Sequence, residues 1–285
     1  MLIAHLTDPH IGLQACPSYP PFDPETALHN ALAHVRQLDP APEVVLITGD
    51  LSDGGRAQDY ATLARLLEEG LPAQAEGGPH VLLVPGNHDI PALAHEKLKA
   101  YLPRCLDAPD NCYCIHVQHG PLHLIGLDTV VSFEPYGALS PAHLQWLERR
   151  LQICAGEPVL IFMHHPPLVT GMSVMDDYGL RSGRKELADL VAAHGQVQLI
   201  ACGHQHRTIL GALGGAPVVV LPSTSHQLNL DLRPEGPLMV RMEPPMIGLY
   251  RWTPEDGMAC HFSYIHEFDG PFACTPTPPP LSEEE

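Results

Sequence analysis

Short apolar runs alternate with amphipathic stretches through the first two-thirds of the chain, and nearly every run stops on polar residues. "LIAHLTD", "EVVLITGD" and "HVLLVPGNHD" read as strands, and the second is apolar enough to be buried on both faces. Between the first two, Asp23 followed by Pro24 predicts an N-cap with Pro at the first helical position, and Ala27, Leu28, Ala31, Leu32 and Val35 recur at helical spacing. "AQDYATLARLLEEG" predicts a second helix closed by Gly70, and residues 91–101 a third. After Arg104 the pattern turns to strands, "CYCIHV" and "PLHLIGLD", joined through "QHG" as a hairpin. Ser140 then caps the helix "PAHLQWLERRLQ". Strand "PVLIFMHH", a loop over 167–182, helix "RKELADLVAAHG" and strand "VQLIACGHQH" follow, with further strands near 207–211, 216–221, 238–242, 247–252 and 259–265. Alternating strands and helices predict a layered α/β fold, and the strand-only passages require a second sheet. Two mixed sheets flanked by helices, a four-layer αββα sandwich, satisfy both. The closing "TPTPPPLSEEE" has too little apolar surface to pack, so 271–285 is expected to be a disordered Pro-rich acidic tail.

Charge narrows the partners. Lys plus Arg number 15 against 33 Asp plus Glu, a formal net charge of -18, which argues against a long nucleic acid because phosphate-backbone binding depends on Lys and Arg. No apolar run approaches the roughly 18 residues of a membrane span. The N-terminus has no basic segment and its apolar stretch is broken by His5 and Asp8, so the expected location is cytoplasmic. The 8 Cys form no C-x-x-C pair and are expected to be reduced thiols, with Cys260 and Cys274 the pair to check.

The chemistry stands at the strand ends. Five strands finish in metal-type donors: Asp8-Pro9-His10, Gly49-Asp50, Gly86-Asn87-His88-Asp89, His164-His165-Pro166 and Gly203-His204-Gln205-His206. In "VPGNHD" turn chemistry accounts for Pro85, Gly86, Asn87 and Asp89 but leaves His88 over. Each fragment alone is common by chance. Together they occupy the carboxyl ends of strands, where ligands bind in open α/β sheets. Carboxylates, imidazoles and one amide oxygen suit Mn, Fe, Co or Zn, and the lack of thiolates argues against a closed structural zinc site. A carboxylate shared between two dications is the simplest account of so many donors.

The ordered set "DPH", "GD", "GNHD", "HHPP" and "GHQH" resembles the calcineurin-like metallophosphoesterase superfamily. Within it, "TGDLSDGGRAQDY", "IFMHHPPL" and "LPSTSHQL" resemble the branch of class III cyclic-nucleotide phosphodiesterases and bacterial glycerophosphodiesterases. The resemblance implies a catalytic core over 1–206, with 207–270 as C-terminal strands completing the second sheet and offering a cap or dimer segment. It implies one metal held by Asp8, His10, Asp50 and His206 and another by Asp50, Asn87, His164 and His204, Mn and Fe being favoured over Zn and Co. His164, two positions before Pro166, is favoured for the ligand role with His165 as its alternative, and the one not used would lie outside the metals, near substrate. His88 would meet the phosphate and protonate the leaving oxygen, Asp89 would orient His88, and His226 of "STSHQLN" would stand near substrate. The implied function is hydrolysis of small phosphodiesters, 3',5'-cyclic nucleotides or glycerophosphodiesters, by metal-activated hydroxide, in a homodimer or higher oligomer. A phosphomonoesterase, a nuclease and a metal-free scaffold are the alternatives.

Overall fold

The computed structural model describes residues 1–13, 22–266, 268–270 and 272. In chain order the first half holds β1 (Leu2–Leu6), α1 (Pro24–Arg36), β2 (Val44–Thr48), α2 (Ala57–Gly70), β3 (His80–Val84), α3 (Pro91–Lys97), β4 (Ile115–His119), β5 (Leu122–Leu127) and β6 (Gly137–Ala138). Then come α4 (Pro141–Ile153), β7 (Val159–Met163), α5 (Ser173–Tyr178), β8 (Leu180–Ser182), α6 (Arg184–His194) and β9 (Val197–Cys202). The chain closes with β10 (Ile209–Leu213), β11 (Ala216–Val220), β12 (Gln227–Leu228), β13 (Val240–Arg241), β14 (Met246–Thr253) and β15 (Gly257–Tyr264).

Two sheets carry the architecture. Sheet one has the order β15-β14-β1-β2-β3, and sheet two β10-β11-β9-β7-β5-β4. In sheet one β1, β2 and β3 run parallel, and in sheet two β5, β7, β9 and β11 do, so the carboxyl ends of seven strands open on loops. Period-2 alternation sorts the apolar runs between two layers. Leu160 and Phe162 of β7 join the core shared with Ile3, Val44 and Leu46 of sheet one, whereas Val159, Ile161 and Met163 face Trp146 and Leu147 of α4 and Leu187 of α6. Leu28 and Leu32 of α1 and Leu63 and Leu67 of α2 cover the other side of sheet one. The result is the four-layer αββα sandwich. The helix starts are set locally. Asp23 Oδ1 accepts from Thr26 N at 3.0 Å, and Ser140 forms a reciprocal cap with His143.

Several expectations change. Residues 207–270 divide between the sheets. Strands β10 and β11 extend sheet two, but β14 pairs antiparallel with β1, so β14 and β15 complete sheet one instead of the second sheet. Cys112 and Cys114 precede β4 instead of lying in it, because Tyr113 N donates to Asp128 Oδ2 and Cys114 O accepts from Cys105 N. Helix α3 stops at Lys97, and Tyr101 O beyond it accepts from Leu83 N at the edge of β3. Gly70 is not a left-handed cap: a Cβ there would press 2.7 Å from Leu32 Cδ1, so glycine lets α2 approach α1. Among the described residues six cysteines are free thiols, of which Cys114, Cys154 and Cys202 are buried and Cys105, Cys112 and Cys260 half-buried. Cys274 and nearly all of the expected 271–285 tail lie outside the described residues. Among the described residues no helix is long and apolar enough to cross a membrane.

Candidate metal centre

The carboxyl ends of β1, β2, β3, β7 and β9 bring all seven predicted ligands together. Asp8, His10, Asp50 and His206 are buried and their ligand atoms lie within 4.8 Å of one another. Asp50 divides its oxygens between two groups of donors. Its Oδ2 stands 3.5 Å from His10 Nε2, and its Oδ1 stands 3.4 Å from His164 Nε2. Around His164 Nε2 lie Asn87 Oδ1 at 3.0 Å and His204 Nδ1 at 3.2 Å. One oxygen of Asp50 thus faces His10 and the other faces His164, with Asn87 and His204 beside the latter.

The backbone is bent to deliver these groups. Among the described residues seven non-glycine positions have positive φ, and five of them are donors: Asp8 (52°), His10 (48°), Asp50 (45°), His204 (71°) and His206 (47°). The left-handed region costs an ordinary residue on the order of 1 kcal/mol, and such strain persists where the surrounding structure fixes it. Gly86 is glycine because a Cβ there would run into the Asp50 backbone and carboxylate and the His164 ring.

Outer partners decide which nitrogen of each ring faces inward. His10 Nδ1 pairs with Asp53 Oδ1 at 3.1 Å, His206 Nδ1 donates to His226 O at 2.8 Å, and His164 Nδ1 donates to Thr48 O at 2.8 Å. Each ring is thus left with a bare Nε2 pointing into the cluster. His10 Nε2 and His206 Nε2 then face each other at 3.2 Å, and His164 Nε2 is surrounded by Asn87, Asp50 and His204. Lone pairs aimed at one another need a cation between them, and outer partners of this kind are what metal-ligating histidines carry. The donor set therefore fits divalent metals. Burial alone would raise the Asp8 carboxyl, yet the facing His206, His164 and His10 hold it well below the usual range. Burial and neighbouring imidazoles press His204 toward its neutral form, the form that can act as a ligand.

His88 stands apart at the open side, 41 % exposed, with Nε2 4.0 Å from Asp50 Oδ2. Its ring is not held by Asp89. That carboxylate accepts from the backbone N–H of Gly86, Leu51 and Ser52 and from Tyr60 Oη. Burial and the Asp50 charge push Asp89 up to about 7 against those donors. Asp89 staples the β3 loop to the β2 loop, and Asp53 takes the orienting place: its carbonyl accepts from His88 Nδ1 at 2.9 Å and its Oδ1 lies 3.6 Å away. Sequence reading passed over Asp53, although its position three residues after Asp50 in "GDLSD" was the available signal.

His165 is buried beside the second set, its ring 4.6 Å from that of His204, with Nδ1 2.7 Å from Thr129 Oγ1. Its Nε2 finds no partner among the described residues. His226 lies over the first set, its ring 4.6 Å from that of His206 and 5.2 Å from that of His10. In the 167–182 loop Met172 and Met175 pack with Leu228, as packing residues, and Asp176 ties Thr170 and Gly171 to α5.

A sandwich whose parallel strands present a shared aspartate between two imidazole-rich donor sets defines a metal-dependent phosphoesterase architecture. The chain belongs to the calcineurin-like phosphoesterase family, whose model matches residues 1–208, and this family uses divalent metals. Among curated proteins it is 34% identical over 275 residues to a probable glycerophosphodiester phosphodiesterase GpdQ of Arcobacter nitrofigilis, covering 95% of this chain and 96% of that one. It is 33% identical to a probable cyclic nucleotide phosphodiesterase of Rhodopseudomonas palustris, with 84% of each chain covered. The fold is also that of a dimetal phosphatase from Danio rerio, with TM-score 0.66, 17% identity and coverage of 93% and 96%.

Proposed function

We propose that this chain is a binuclear-metal phosphodiesterase acting on small phosphodiesters, with glycerophosphodiesters ahead of 3',5'-cyclic nucleotides. The observation that carries the reading is Asp50, whose two oxygens face separate donor sets while His88 waits 4.0 Å away on the open side. The similarity to the glycerophosphodiester phosphodiesterase runs over 95% of the chain, against 84% for the cyclic-nucleotide relative, and supports the order of preference.

Two bound dications, Mn or Fe for preference, would lower the pKa of water and neutralise the phosphate oxygens. Asp8, His10, Asp50 and His206 would hold one, and Asp50, Asn87, His164 and His204 the other. His88, with Nδ1 engaged by the Asp53 carbonyl, carries its transferable proton on Nε2 and delivers it to the leaving oxygen. His165, beside His204, and His226, beside His206, are the further side chains that would meet substrate. A diester carries a single negative charge, so the imidazole-rich site binds it without an arginine clamp. The net charge of -18 disfavours a nuclease. We place the enzyme in the cytoplasm as a homo-oligomer, with the C-terminal strands as the assembling segment.

The test is turnover of chelator-stripped, Mn-reloaded protein on glycerophosphoethanolamine, cyclic AMP and a chromogenic diester in parallel. Faster hydrolysis of the glycerol diester is expected. Preference for cyclic AMP would reverse the order of substrates, and failure on all three with every metal would overturn the reading.

A further inference from the structure

A second group of metal-type side chains gathers at the amino end of sheet two, away from the centre just described. His123 pairs with Val159 at the start of β7, whereas His164 follows the other end of that strand. His116 stands on β4 opposite Ile125, so it shares a face with His123 across the hairpin. The third member is Cys154, buried at the end of α4. One ligand atom from each lies within 4.8 Å of the others.

The hydrogen bonds around the group are directional. His123 Nε2 donates to Glu157 Oε2 at 2.9 Å, which leaves Nδ1 bare and 2.9 Å from His116 Nε2. Gln196 Nε2 approaches Cys154 Sγ at 3.4 Å while it donates to Leu151 O and Cys154 O. A carboxylate holding the outer nitrogen of an imidazole is a support that metal ligands receive from their surroundings, and the Cys154 thiol donates to Arg150 O at 3.0 Å, a bond it gives up with its proton. The neighbouring Arg150 is paired with Asp107.

We infer that His116, His123 and Cys154 form a separate site for a borderline-soft divalent cation of the zinc type. The fourth position is open to water beside the half-buried His116. Zn–N bonds of about 2.0–2.1 Å and a Zn–S bond of about 2.3 Å place tetrahedral donors about 3.3–3.6 Å apart. The two imidazole nitrogens, 2.9 Å apart, need to part by about half an ångström, and the Cys154 sulfur, within 4.8 Å of both, needs a shift of at most about 1.5 Å. On binding, the Cys154 thiol gives its proton to solvent as the sulfur–metal bond forms, and the His116 proton leaves Nε2, where it faces His123 Nδ1, for Nδ1 by exchange through solvent. Affinity therefore falls as pH is lowered. The bound ion ties the end of α4 to the β4–β5 edge hairpin.

Cobalt(II) is the probe, because every donor at the phosphodiesterase centre is nitrogen or oxygen. A thiolate-to-cobalt charge-transfer band therefore reports only an ion bound to cysteine. The full-length, chelator-stripped protein is expected to take up three Co²⁺ per chain, with the band saturating at one equivalent. Cys154→Ser and His116→Gln should each abolish the band and reduce uptake to two Co²⁺, while turnover of the chromogenic diester stays at the unsubstituted level. His116 is half-buried, so its variant guards against a folding failure at the buried cysteine. Absence of the band in the unsubstituted protein at saturating cobalt, or its full retention in either variant, overturns the inference.

Discussion

Asp53→Ala separates metal holding from proton delivery. Asp53 Oδ1 pairs with His10 Nδ1 at 3.1 Å, and the same residue's backbone carbonyl accepts from His88 Nδ1 at 2.9 Å. The substitution removes the first interaction and leaves the second. A hydrogen bond to a charged group contributes about 1.5–3 kcal/mol, and that range corresponds to about 10- to 150-fold in metal affinity at the set that includes His10. The set around His164 has no contact with Asp53 and should keep its affinity. At His88 the lost charge lies 3.6 Å away between side chains that are 28 % and 41 % exposed, so solvent screening limits the effect on kcat at saturating metal to about fivefold. Equilibrium dialysis against graded Mn²⁺, with elemental analysis and diester turnover at each point, should show one binding step shifted and the other unmoved. Asp53→Asn keeps an acceptor oxygen and should shift that step less. Equal weakening of both steps, or no weakening of either, would refute the reasoning.

Asp50→Ala takes an oxygen from both donor sets and should abolish metal pairing and turnover; two tightly held Mn²⁺ per chain in that variant would sink the bridging assignment. His88→Ala should retain both metals and lower kcat by about 10²-fold or more, as elemental analysis and steady-state rates would show. Phe162→Ala empties a fully buried site between the sheets and should cost about 3–5 kcal/mol in urea unfolding. His5 is fully buried between Tyr250 Oη at 2.7 Å and Thr48 Oγ1 at 2.8 Å, and burial outweighs the Asp8 charge to push its pKa down to about 3. Between that value and 6.5 the unfolded chain binds more protons than the folded one. This contribution to stability therefore rises with pH across the window and is lost as pH falls, at up to about 1.4 kcal/mol per pH unit. His5→Gln should flatten the slope of urea-unfolding stability between about pH 4 and 6.5, and an unchanged slope would contradict it.

The strand ends were legible because the signal is local: an apolar run, a turn and a donor occupy consecutive residues, as in "VLIFMHH". Helix starts at Asp23 and Ser140 were legible for the same reason. Pairing of β14 with β1 was not, since Leu2 meets Arg251 across almost the whole chain and no short stretch records it. Asp89 was misassigned because adjacency in sequence suggested contact with His88. The turn instead directs its carboxylate to three backbone N–H groups and Tyr60, and Asp53 reaches the ring from another loop.

The five left-handed donors carry a consequence for how this protein tolerates change. At Asp8, His10, Asp50, His204 and His206, glycine would relax the main chain while deleting the ligand. Selection for a sturdier metal-free fold and selection for metal binding therefore pull those positions in opposite directions. A lineage released from catalysis could drift toward glycine at these corners with little harm to folding. The cluster is thus the part of the molecule where a gain in stability is the easiest route to loss of function.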